Sequence, residues 1–426
     1  MKKIVLVVLL LVAVFMLSFT AIAQDDLKVV LVVNGVLGDK SFFDSAQRGM
    51  DLIADEFDLE VDTVELGIDP ANWETGLLDV MSDSDSYDIL ITGTWQMVGF
   101  LAAQAHNYPD KFYMFFDAPM PYDDAEVCVD GCSNVYSITY AQNEGSFLAG
   151  VYAAAISESG IDGANDSAII GAVGGQQIPV IDDFIVGYEQ GACLVSADAQ
   201  TIVQYAGSWN DPARGKEITL AMYEQGADIV FQVAGGTGVG VFEAAEEQEH
   251  FAIGVDSDQA TIVAETDPDQ AARILTSMMK NVDSSLLRAV TMHLDGELEY
   301  GAAEALGIAE GGVGLAVNDI YDDNTPDDVK DIIAAVEAAV IDGEIEVGNN
   351  KHENVKYLPG KQLSNIIEAV TDLEVACRGC TILVLCIPPK YLQRLLPTIY
   401  PCLSTRCKVI NICKDLIYNG NGEKFS

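Results

Sequence analysis

The sequence predicts a two-lobed α/β protein whose parallel sheets are covered by helices. Short, nearly continuous β-branched runs recur along the chain, and amphipathic stretches of helical length separate them. Runs that are apolar throughout are typical of strands buried on both faces, as in parallel sheets. Seven such runs are too many for one comfortable open sheet, so two lobes are favoured.

The first segment of the chain is predicted to be a signal peptide, residues 1–23. The letters MKK precede an apolar run that starts at Ile4, and the letters AIA at 21–23 form an A-x-A cleavage signature. We therefore expect a mature chain that begins near Gln24 and is secreted, periplasmic or at the outer face of the cytoplasmic membrane. A lipid anchor is not expected, because no cysteine lies near the cleavage signature. No later run approaches the ~20 apolar residues of a membrane span.

From Lys28 the chain alternates predicted strands and helices, the order typical of parallel sheets joined by right-handed crossovers. The strands are VVLVVN, DILITGT, KFYMFFDA, SAIIGAVGG, TIVQYAG, DIVFQVAGG and FAIGVDS. The helices include SFFDSAQRGMDLIADEF, NEGSFLAGVYAAAISESG, IPVIDDFIVGYEQGACLV and DPARGKEITLAMYEQG.

The first predicted helix carries two adjacent phenylalanines on its first turn. Ser41 and Asp44 have the spacing of a capping box that starts this helix. Phe42 and Phe43 then lie near the carboxyl end of the first strand, where open α/β sheets bind ligands. We expect one ring to pack under the turn and the other to face the crevice; the alternative is that both belong to the core.

Other strand ends carry polar or aromatic groups in the same way. They are Asp117, Trp209, Asp256, Lys280 and the glycines Gly235, Gly236, Gly238 and Gly240. Each has a separate structural explanation, such as a helix cap, a packed indole, a turn or a surface charge, but their recurrence at strand ends predicts a cleft. The glycines lack the G-x-G-x-x-G spacing, which favours close approach of backbone to a ligand or hinge over a dinucleotide cofactor.

Composition and motifs argue against catalysis and against nucleic acid as a partner. The chain has no G-x-S-x-G elbow, H-E-x-x-H pair or P-loop, and its four histidines are not paired at ligand spacing. We therefore expect no enzyme, no metal and no cofactor. A net charge of -44 disfavours nucleic acid, which needs a basic surface.

Two cysteines are close in sequence within a predicted loop. Cys128 and Cys132 flank three residues of an exported chain, so a small disulfide and two free thiols both remain open. Cys193 is expected to be a buried, small apolar residue.

The chain changes character near Asn350. Residues 350–426 hold ten Lys and Arg against six Asp and Glu, whereas residues 1–349 hold 12 against 60, and six of the nine cysteines also lie in the tail. The runs CTILVLCIPP and CKVINICK predict two buried parallel strands with a helix between them. Cys377 and Cys380 form a lone C-x-x-C, which favours a packed helix end over a metal or redox site.

Seven ordered motifs between Lys28 and Val347 resemble the basic membrane protein family of substrate-binding proteins. They are GDKSFFDSA, QNEGSFLAG, GAVGGQQIP with FIVGYEQGA, YAGSWNDPARGK, GADIVFQVAGGTGVG, FAIGVDSDQ and ILTSMMKNVD. The resemblance implies a periplasmic-binding-protein-like fold whose two lobes close on a nucleoside, expected to be a purine nucleoside. It also implies that the protein serves the membrane subunits of an ABC importer.

The resemblance also implies roles for individual residues. Phe42 and Trp209 would stack on the base, Asp117 would accept from the base edge, and Asp256 with Lys280 would hold the ribose hydroxyls.

Three more residues are expected at the ligand. Gly236 would let backbone amides reach the sugar, Asn34 ends the first strand, and Asp44 lies in the motif GDKSFFDSA. The chain departs from the family at Phe43, where Asn is usual, and at Asn34, where an acid is usual, so purine preference follows less directly than nucleoside binding. A sugar or other small polar ligand on the same fold is the alternative.

The tail resembles the middle of the cofactor domain of NAD-dependent glycerol-3-phosphate dehydrogenase. The resemblance covers HENVKYLPG and the strand that ends at Lys414, but the glycine-rich cofactor loop and the substrate domain are absent. A fragment without its first βαβ unit cannot bind NAD as that enzyme does, so we expect no dehydrogenase activity. The expected domains are 1–23, 24–348 for the bilobal binding domain, and 349–426 for this partial Rossmann-like fragment.

Overall fold

The computed structural model describes residues 27–165 and 167–348, and the backbone of two short strands beyond them. Two compact units are present, Met1–Gly348 and Asn349–Ser426. In the second unit the strands Ile382–Leu385 and Lys408–Asn411 pair in parallel, as the sequence predicts. The predicted signal peptide, the tail helix, and Cys377 and Cys380 lie outside the described residues.

The first unit contains two six-stranded sheets. In chain order its strands are β1 (Lys28–Val33), β2 (Glu60–Glu65), β3 (Ile89–Gly93), β4 (Phe112–Phe116), β5 (Val135–Tyr140), β6 (Ile169–Gly174), β7 (Gln200–Tyr205), β8 (Ile229–Val233), β9 (Phe251–Asp256), β10 (Ile274–Lys280), β11 (Ala302–Leu306) and β12 (Val313–Leu315).

The sheets are covered by α-helices, and the four helices predicted from the sequence agree closely with the observed bounds. The helices are α1 (Phe42–Phe57), α2 (Trp73–Ser82), α3 (Val98–Ala102), α4 (Gln142–Ser157), α5 (Pro179–Val195), α6 (Pro212–Glu224), α7 (Val239–Gln248), α8 (Gln259–Ala264), α9 (Pro268–Ala271), α10 (Val282–Asp295), α11 (Asp319–Asn324) and α12 (Asp327–Ile341).

Each sheet forms the centre of one lobe. The first has the order β11-β5-β4-β3-β1-β2, with all strands parallel. The second has the order β12-β10-β9-β8-β6-β7, and only the pair of β10 with β12 is antiparallel. Central strands are apolar because helices cover both faces: all six residues of β9 are buried.

The chain passes between the lobes three times. It leaves the first lobe after β5, returns from β10 to β11, and crosses again from β11 to β12. Helix α4 packs on α5 of the second lobe, whereas α10 packs on α1 of the first. The edge strands β11 of the first sheet and β12 of the second are therefore both supplied by the C-terminal part of the unit. Within the described residues, no helix combines the length and the apolar composition that crossing a membrane requires.

Candidate functional site

The carboxyl ends of neighbouring strands in both lobes carry the predicted site residues. Asn34 and Asp117 follow β1 and β4 of the first sheet, while Asp256 and Lys280 end β9 and β10 of the second. Asp117 and Asp256 have φ angles of 69° and 64°, in the left-handed region that side chains other than glycine seldom adopt. Strained backbone of this kind concentrates at functional sites, so these two strand ends are the first indication of one.

The start of α1 is capped by Asp39, and the predicted capping box of Ser41 and Asp44 is wrong. The Asp39 carboxylate accepts from the backbone amides of Phe43 at 3.0 Å and Asp44 at 3.2 Å. An acidic side chain in this place satisfies the free amides and suits the positive end of the helix dipole. Ser41 makes no side-chain cap, and its hydroxyl instead donates to Oδ2 of Asp256 in the other lobe at 2.5 Å.

Asp44 closes the turn that precedes the helix. Its carboxylate accepts from the backbone amides of Gly38 and Lys40, both at 2.7 Å. Asn34 likewise makes a local contact, since its Oδ1 accepts from Thr94 Oγ1 at 3.2 Å. Both residues hold the loops of the first lobe in place beside the strand ends.

The two phenylalanines of this turn point in different directions. A Cβ added at Gly35 would lie 2.3 Å from the Phe43 ring, so that ring packs directly on the glycine under the turn. The Phe42 ring lies 5.4 Å from the Phe116 ring and 5.4 Å from Lys280 Nζ of the second lobe. Phe42 is therefore the ring that faces the other lobe.

Lys280 is buried between the lobes with only 2% of its side chain exposed. Its ammonium forms an ion pair with the Asp117 carboxylate of the first lobe. Around the ammonium lie three rings, with centroids 5.4 Å away for Phe42, 5.1 Å for Tyr140 and 5.2 Å for Phe184. An aromatic box and a carboxylate together compensate for the loss of water around a buried cation.

Asp256 is the second buried charge at this place, with 7% of its surface exposed. The pKa of its carboxyl is raised to about 7, chiefly by burial, and the carboxylates of Asp39 and Asp117 contribute to this rise. The charge of Lys280 and the hydrogen bond from Ser41 oppose this rise in pKa. Near neutral pH this carboxyl can therefore be present in either protonation state.

Further hydrogen bonds join the lobes beside these charges. Arg48 Nη2 donates to Ser257 Oγ at 2.8 Å, and that hydroxyl donates to the carbonyl of Ser41 at 3.0 Å. Gln259 Nε2 donates to the carbonyl of Lys40 at 3.0 Å. The two lobes are thus in direct contact at the edge formed by the ends of β1 and β9.

Trp209 and Gly236 lie together at the neighbouring strand ends of the second lobe. A Cβ added at Gly175 would lie 2.3 Å from the Trp209 ring, so the indole packs closely on the backbone just after β6. The carbonyl of Trp209 accepts from the amide of Thr237 at 3.0 Å. A Cβ at Gly236 would lie 3.3 Å from this carbonyl, so the loop after β8 packs closely against Trp209.

Six of the eight predicted residues therefore fall into two groups, one between the lobes and one in the second lobe, whereas Asn34 and Asp44 make contacts within the first lobe. Phe42, Asp117, Asp256 and Lys280 are linked to one another through ion-pair, ring or charge contacts. Trp209 and Gly236 form the other group, and no ring pair among the described residues includes Trp209. The sandwich of a flat ligand between Phe42 and Trp209 therefore stays a prediction.

Several site residues were not predicted from the sequence. Tyr140 ends β5 and Phe184 lies within α5, and aromatic residues inside such elements usually indicate core. Ser257 and Gln259 stand in the FAIGVDSDQ motif next to Asp256, and that position was the only available signal for them.

The loop between β4 and β5 contains a disulfide. The sulfurs of Cys128 and Cys132 are 2.00 Å apart, so of the two alternatives the structure has the bonded one. Cys193 is exposed, so the expectation of a buried cysteine is wrong. It lies near the end of α5, where the buried residues of the helix have ended at Ala192.

The chain is similar to proteins of one family over most of its length. A family model described as ABC transporter substrate-binding protein PnrA-like matches residues 26–351. The chain is 32% identical to the ABC transporter nucleoside-binding protein BmpA of Lactococcus lactis subsp. cremoris, over 76% of this chain and 90% of the relative. It is 30% identical to Basic membrane protein A of Borreliella burgdorferi, over 84% of this chain and 99% of the relative.

Solved structures are similar to the same part of the chain. The crystal structure of ABC transporter system solute-binding proteins from Aeropyrum pernix K1 has a TM-score of 0.64 and 26% identity, over 75% of this chain and 92% of that one. A solute-binding protein of an ABC transporter system from Conexibacter woesei has a TM-score of 0.59 at 20% identity, which bears on the fold alone. A second family model, NAD-dependent glycerol-3-phosphate dehydrogenase N-terminus, matches residues 308–425.

Proposed function

Because the chain belongs to the PnrA-like family of ABC transporter substrate-binding proteins, we propose that it binds a nucleoside between its two lobes and delivers it to an ABC importer. A purine nucleoside is the first expectation. The main fold is that of an extracytoplasmic solute-binding protein, which binds a small molecule and interacts with the transporter components in the membrane.

One observation supports this proposal most directly. Charged groups from opposite lobes meet at strand ends beside an aromatic ring: Asp117 and Lys280 pair next to Phe42. Ligands of open α/β sheets bind at such strand ends, and closure of two lobes on a ligand is a common hinge motion.

In the proposed complex the base lies between Phe42 and Trp209. Stacking of a base on an aromatic side chain contributes about 1–3 kcal/mol and tolerates any base. Asp117 accepts hydrogen bonds from N–H groups at the base edge, because an ionised carboxylate is an acceptor only. Asn34 is close to this end of the first sheet, and Asp44 holds the turn that carries Phe42.

The sugar lies at the ends of β9 and β10. Asp256 accepts from the vicinal ribose hydroxyls, and Lys280 donates to them. Gly236 leaves room for the backbone amides after β8 to reach the sugar.

For the whole chain we propose three segments: a signal peptide at 1–23, the binding domain at 24–348, and a tail at 349–426 without dehydrogenase activity. The tail proposal rests on the missing glycine-rich loop. Oxidation of NADH with dihydroxyacetone phosphate by the purified chain, above a blank, would refute it.

Thermal melting of the mature chain from Gln24 against nucleosides and sugars tests the function. A nucleoside at about 100 times its Kd should add ~2.7 kcal/mol of stability, seen as a rise in Tm. Trp209→Ala should abolish the rise because the second stacking ring is lost, and Asp256→Ala because the ribose acceptor is lost. Unchanged nucleoside shifts in both folded variants would refute the site, and a rise with sugars alone would favour the alternative ligand.

A further inference from the structure

The end of β3 has the same unusual backbone as two strand ends that are assigned to the ligand. Thr94, which directly follows β3, has a φ of 72° and a ψ of 147°. This conformation is largely confined to glycine, and a β-branched residue that adopts it is a genuine outlier. Positive φ angles of this size also mark Asp117 and Asp256. The loop after β3, which has no role so far, is therefore a further candidate for the ligand site.

Thr94 lies between two residues that are expected at the ligand. β3 runs between β4 and β1 in the first sheet. The amide of Thr94 donates to the carbonyl of Phe116, the residue before Asp117, at 3.0 Å. The Thr94 hydroxyl donates to Oδ1 of Asn34 at 3.2 Å. Neighbouring strands are about 4.8 Å apart, so a base that reaches from Asp117 towards Asn34 must pass over the end of β3.

Trp95, the next residue, is an exposed aromatic side chain. It is 53% exposed, and among the described residues its indole has no hydrogen bond and no ring partner. The other two tryptophans are held in place: Trp73 donates to the Gly67 carbonyl at 2.8 Å, and Trp209 packs on the backbone at Gly175. A single exposed apolar residue is common on protein surfaces and shows nothing by itself. Trp95 differs because it follows a strained residue at the ligand end of a strand.

An indole at this place can contact the edge of the base that faces the first sheet. Burial of an apolar ring on a ligand stabilises the complex, and exclusion of water strengthens the hydrogen bonds beside the ring. The bonds that Trp95 would shield are those of Asp117, because β3 and β4 end in close contact. A Cβ added at Gly93, the last residue of β3, would lie only 2.5 Å from the Phe116 carbonyl oxygen.

We propose that Trp95 is a further ligand-binding residue of the first lobe, which packs on the edge of the base and shields the hydrogen bonds of Asp117 from water. The inference rests on the proposed function and adds a third aromatic residue to the two stacking rings, Phe42 and Trp209. Trp95 contacts the flat, heteroaromatic part of the ligand. If the exposed indole served a partner protein instead, it would not respond to a small molecule.

Calorimetric titration of the mature chain with inosine and adenosine tests the contribution of Trp95 to affinity. Trp95→Ala should weaken the binding of both about fivefold or more, the loss expected when a ring that contacts a base is removed, and Trp95→Phe should lose less. Ile68→Ala is the matched control, because Ile68 is 63% exposed in the loop after the edge strand β2, outside the row formed by the ends of β4, β3 and β1. This control should leave both affinities unchanged, and melting shows that each variant folds.

Tryptophan fluorescence tests the contact itself. The chain has three tryptophans, so Trp73→Phe combined with Trp209→Phe leaves Trp95 as the only one. Phenylalanine at position 209 keeps a stacking ring, so this double variant should still bind inosine. Inosine should then shift the emission of Trp95 to the blue and protect it from acrylamide, because the indole leaves water. If the double variant does not bind, the difference in acrylamide quenching between the unchanged chain and Trp95→Phe gives the same readout.

The outcomes separate the inference from the proposed function. Unchanged affinity in the folded Trp95→Ala variant, or weaker affinity without any response of the Trp95 fluorescence, would overturn the inference alone, because the indole would then not touch the base. An equal loss of affinity in Ile68→Ala would also overturn it, since the effect would belong to the whole edge of the sheet. Absence of any nucleoside binding by the unchanged chain would overturn the proposed function as well.

Discussion

At the scale of single residues, Asp256 shows how burial changes the chemistry of a carboxyl group in the candidate site. Its carboxyl has few contacts with water, and burial raises its pKa from 3.8 to about 7. The folded protein thus holds a proton more tightly than the unfolded chain between these two pH values. Below about pH 4 the carboxyl is protonated in both states, and the folded protein has its full stability from this group. As the pH rises to about 7 that stability is lost, because the unfolded chain releases the proton and the folded protein retains it.

We predict that Asp256→Asn removes this part of the pH dependence. Asparagine stays uncharged, so the free energy of unfolding of the variant relative to the unchanged chain should rise between pH 4 and pH 7, by up to about 4 kcal/mol. Above about pH 8 the difference should be constant. Urea unfolding without ligand, at half-unit pH steps, measures this difference.

Other groups titrate in the same range, but they are present in both proteins and cancel in the comparison. The groups around Asp256 that could alter the result are Lys280, Asp39 and Asp117. Two unfolding curves that stay parallel from pH 4 to pH 8 would contradict a raised pKa at Asp256.

The sequence located the charged residues of the site better than their partners. Asp117, Asp256 and Lys280 are recognisable because a polar residue directly after an apolar strand is unusual. The pairing of these residues cannot be recognised in the sequence, because it depends on how the two lobes are placed against each other. Lys280 contacts Asp117, 163 residues away, and Ser41 contacts Asp256, 215 residues away. Similarly, Asp39 and Ser41 could both cap α1, and only the path of the turn decides between them.

At the scale of elements, α4 and α5 pack with their backbones in close contact. Three glycines bring the two helix backbones together: a Cβ at Gly150 would lie 1.9 Å from the Tyr188 carbonyl oxygen, and one at Gly191 would lie 2.0 Å from that of Phe147. Gly187 makes a similar approach to the Asn143 carbonyl, at 2.1 Å. Carbonyl oxygens cannot move without moving the helix, so no side chain fits at these positions.

We predict that Gly191→Ala destabilises the protein by about 1–3 kcal/mol, because the added methyl group forces α4 and α5 apart. Chemical unfolding measures the loss. Gly99→Ala is the matched control, since Gly99 lies in the short helix α3 with nothing within 4 Å of an added Cβ. That change should be neutral or stabilise by up to about 1 kcal/mol, because alanine favours helix. Equal effects at the two glycines would contradict the packing argument.

The sequence predicted central strands but missed strands at or near the edges. β2, with the sequence EVDTVE, alternates in exposure and carries three acids, so it has no continuous apolar run. β11, AAEAL, and the three-residue β12 are also edge strands, and they form because the sheet beside them offers free backbone groups. β5, VYSITY, is mostly buried but contains Ser137 and Thr139, which weakened its apolar pattern.

At the scale of the whole molecule, charge is the dominant feature. Residues 1–349 hold 60 acidic against 12 basic residues, so most carboxylates have no cationic neighbour. Repulsion among them destabilises the compact state, whereas exposed ion pairs each contribute only about 0–1 kcal/mol. The repulsion should outweigh the ion pairs.

We predict that the mature chain becomes more stable as sodium chloride is raised from about 0.02 M to about 0.5 M, because the Debye length shortens and screens the repulsion. The free energy of unfolding in urea at pH 8 measures the effect. Tetramethylammonium chloride should act equally well if screening is the cause, since it forms no specific cation sites. A fall in stability with salt would mean that the ion pairs outweigh the repulsion.

The three passages of chain between the lobes also govern when the protein can fold. The first sheet lacks its edge strand until residues 302–306 are made, and the second lacks its own until residues 313–315 follow. A nascent chain therefore cannot complete either lobe until more than three hundred residues have left the ribosome. For a member of a family of extracytoplasmic binding proteins, this late completion of both sheets favours export before folding.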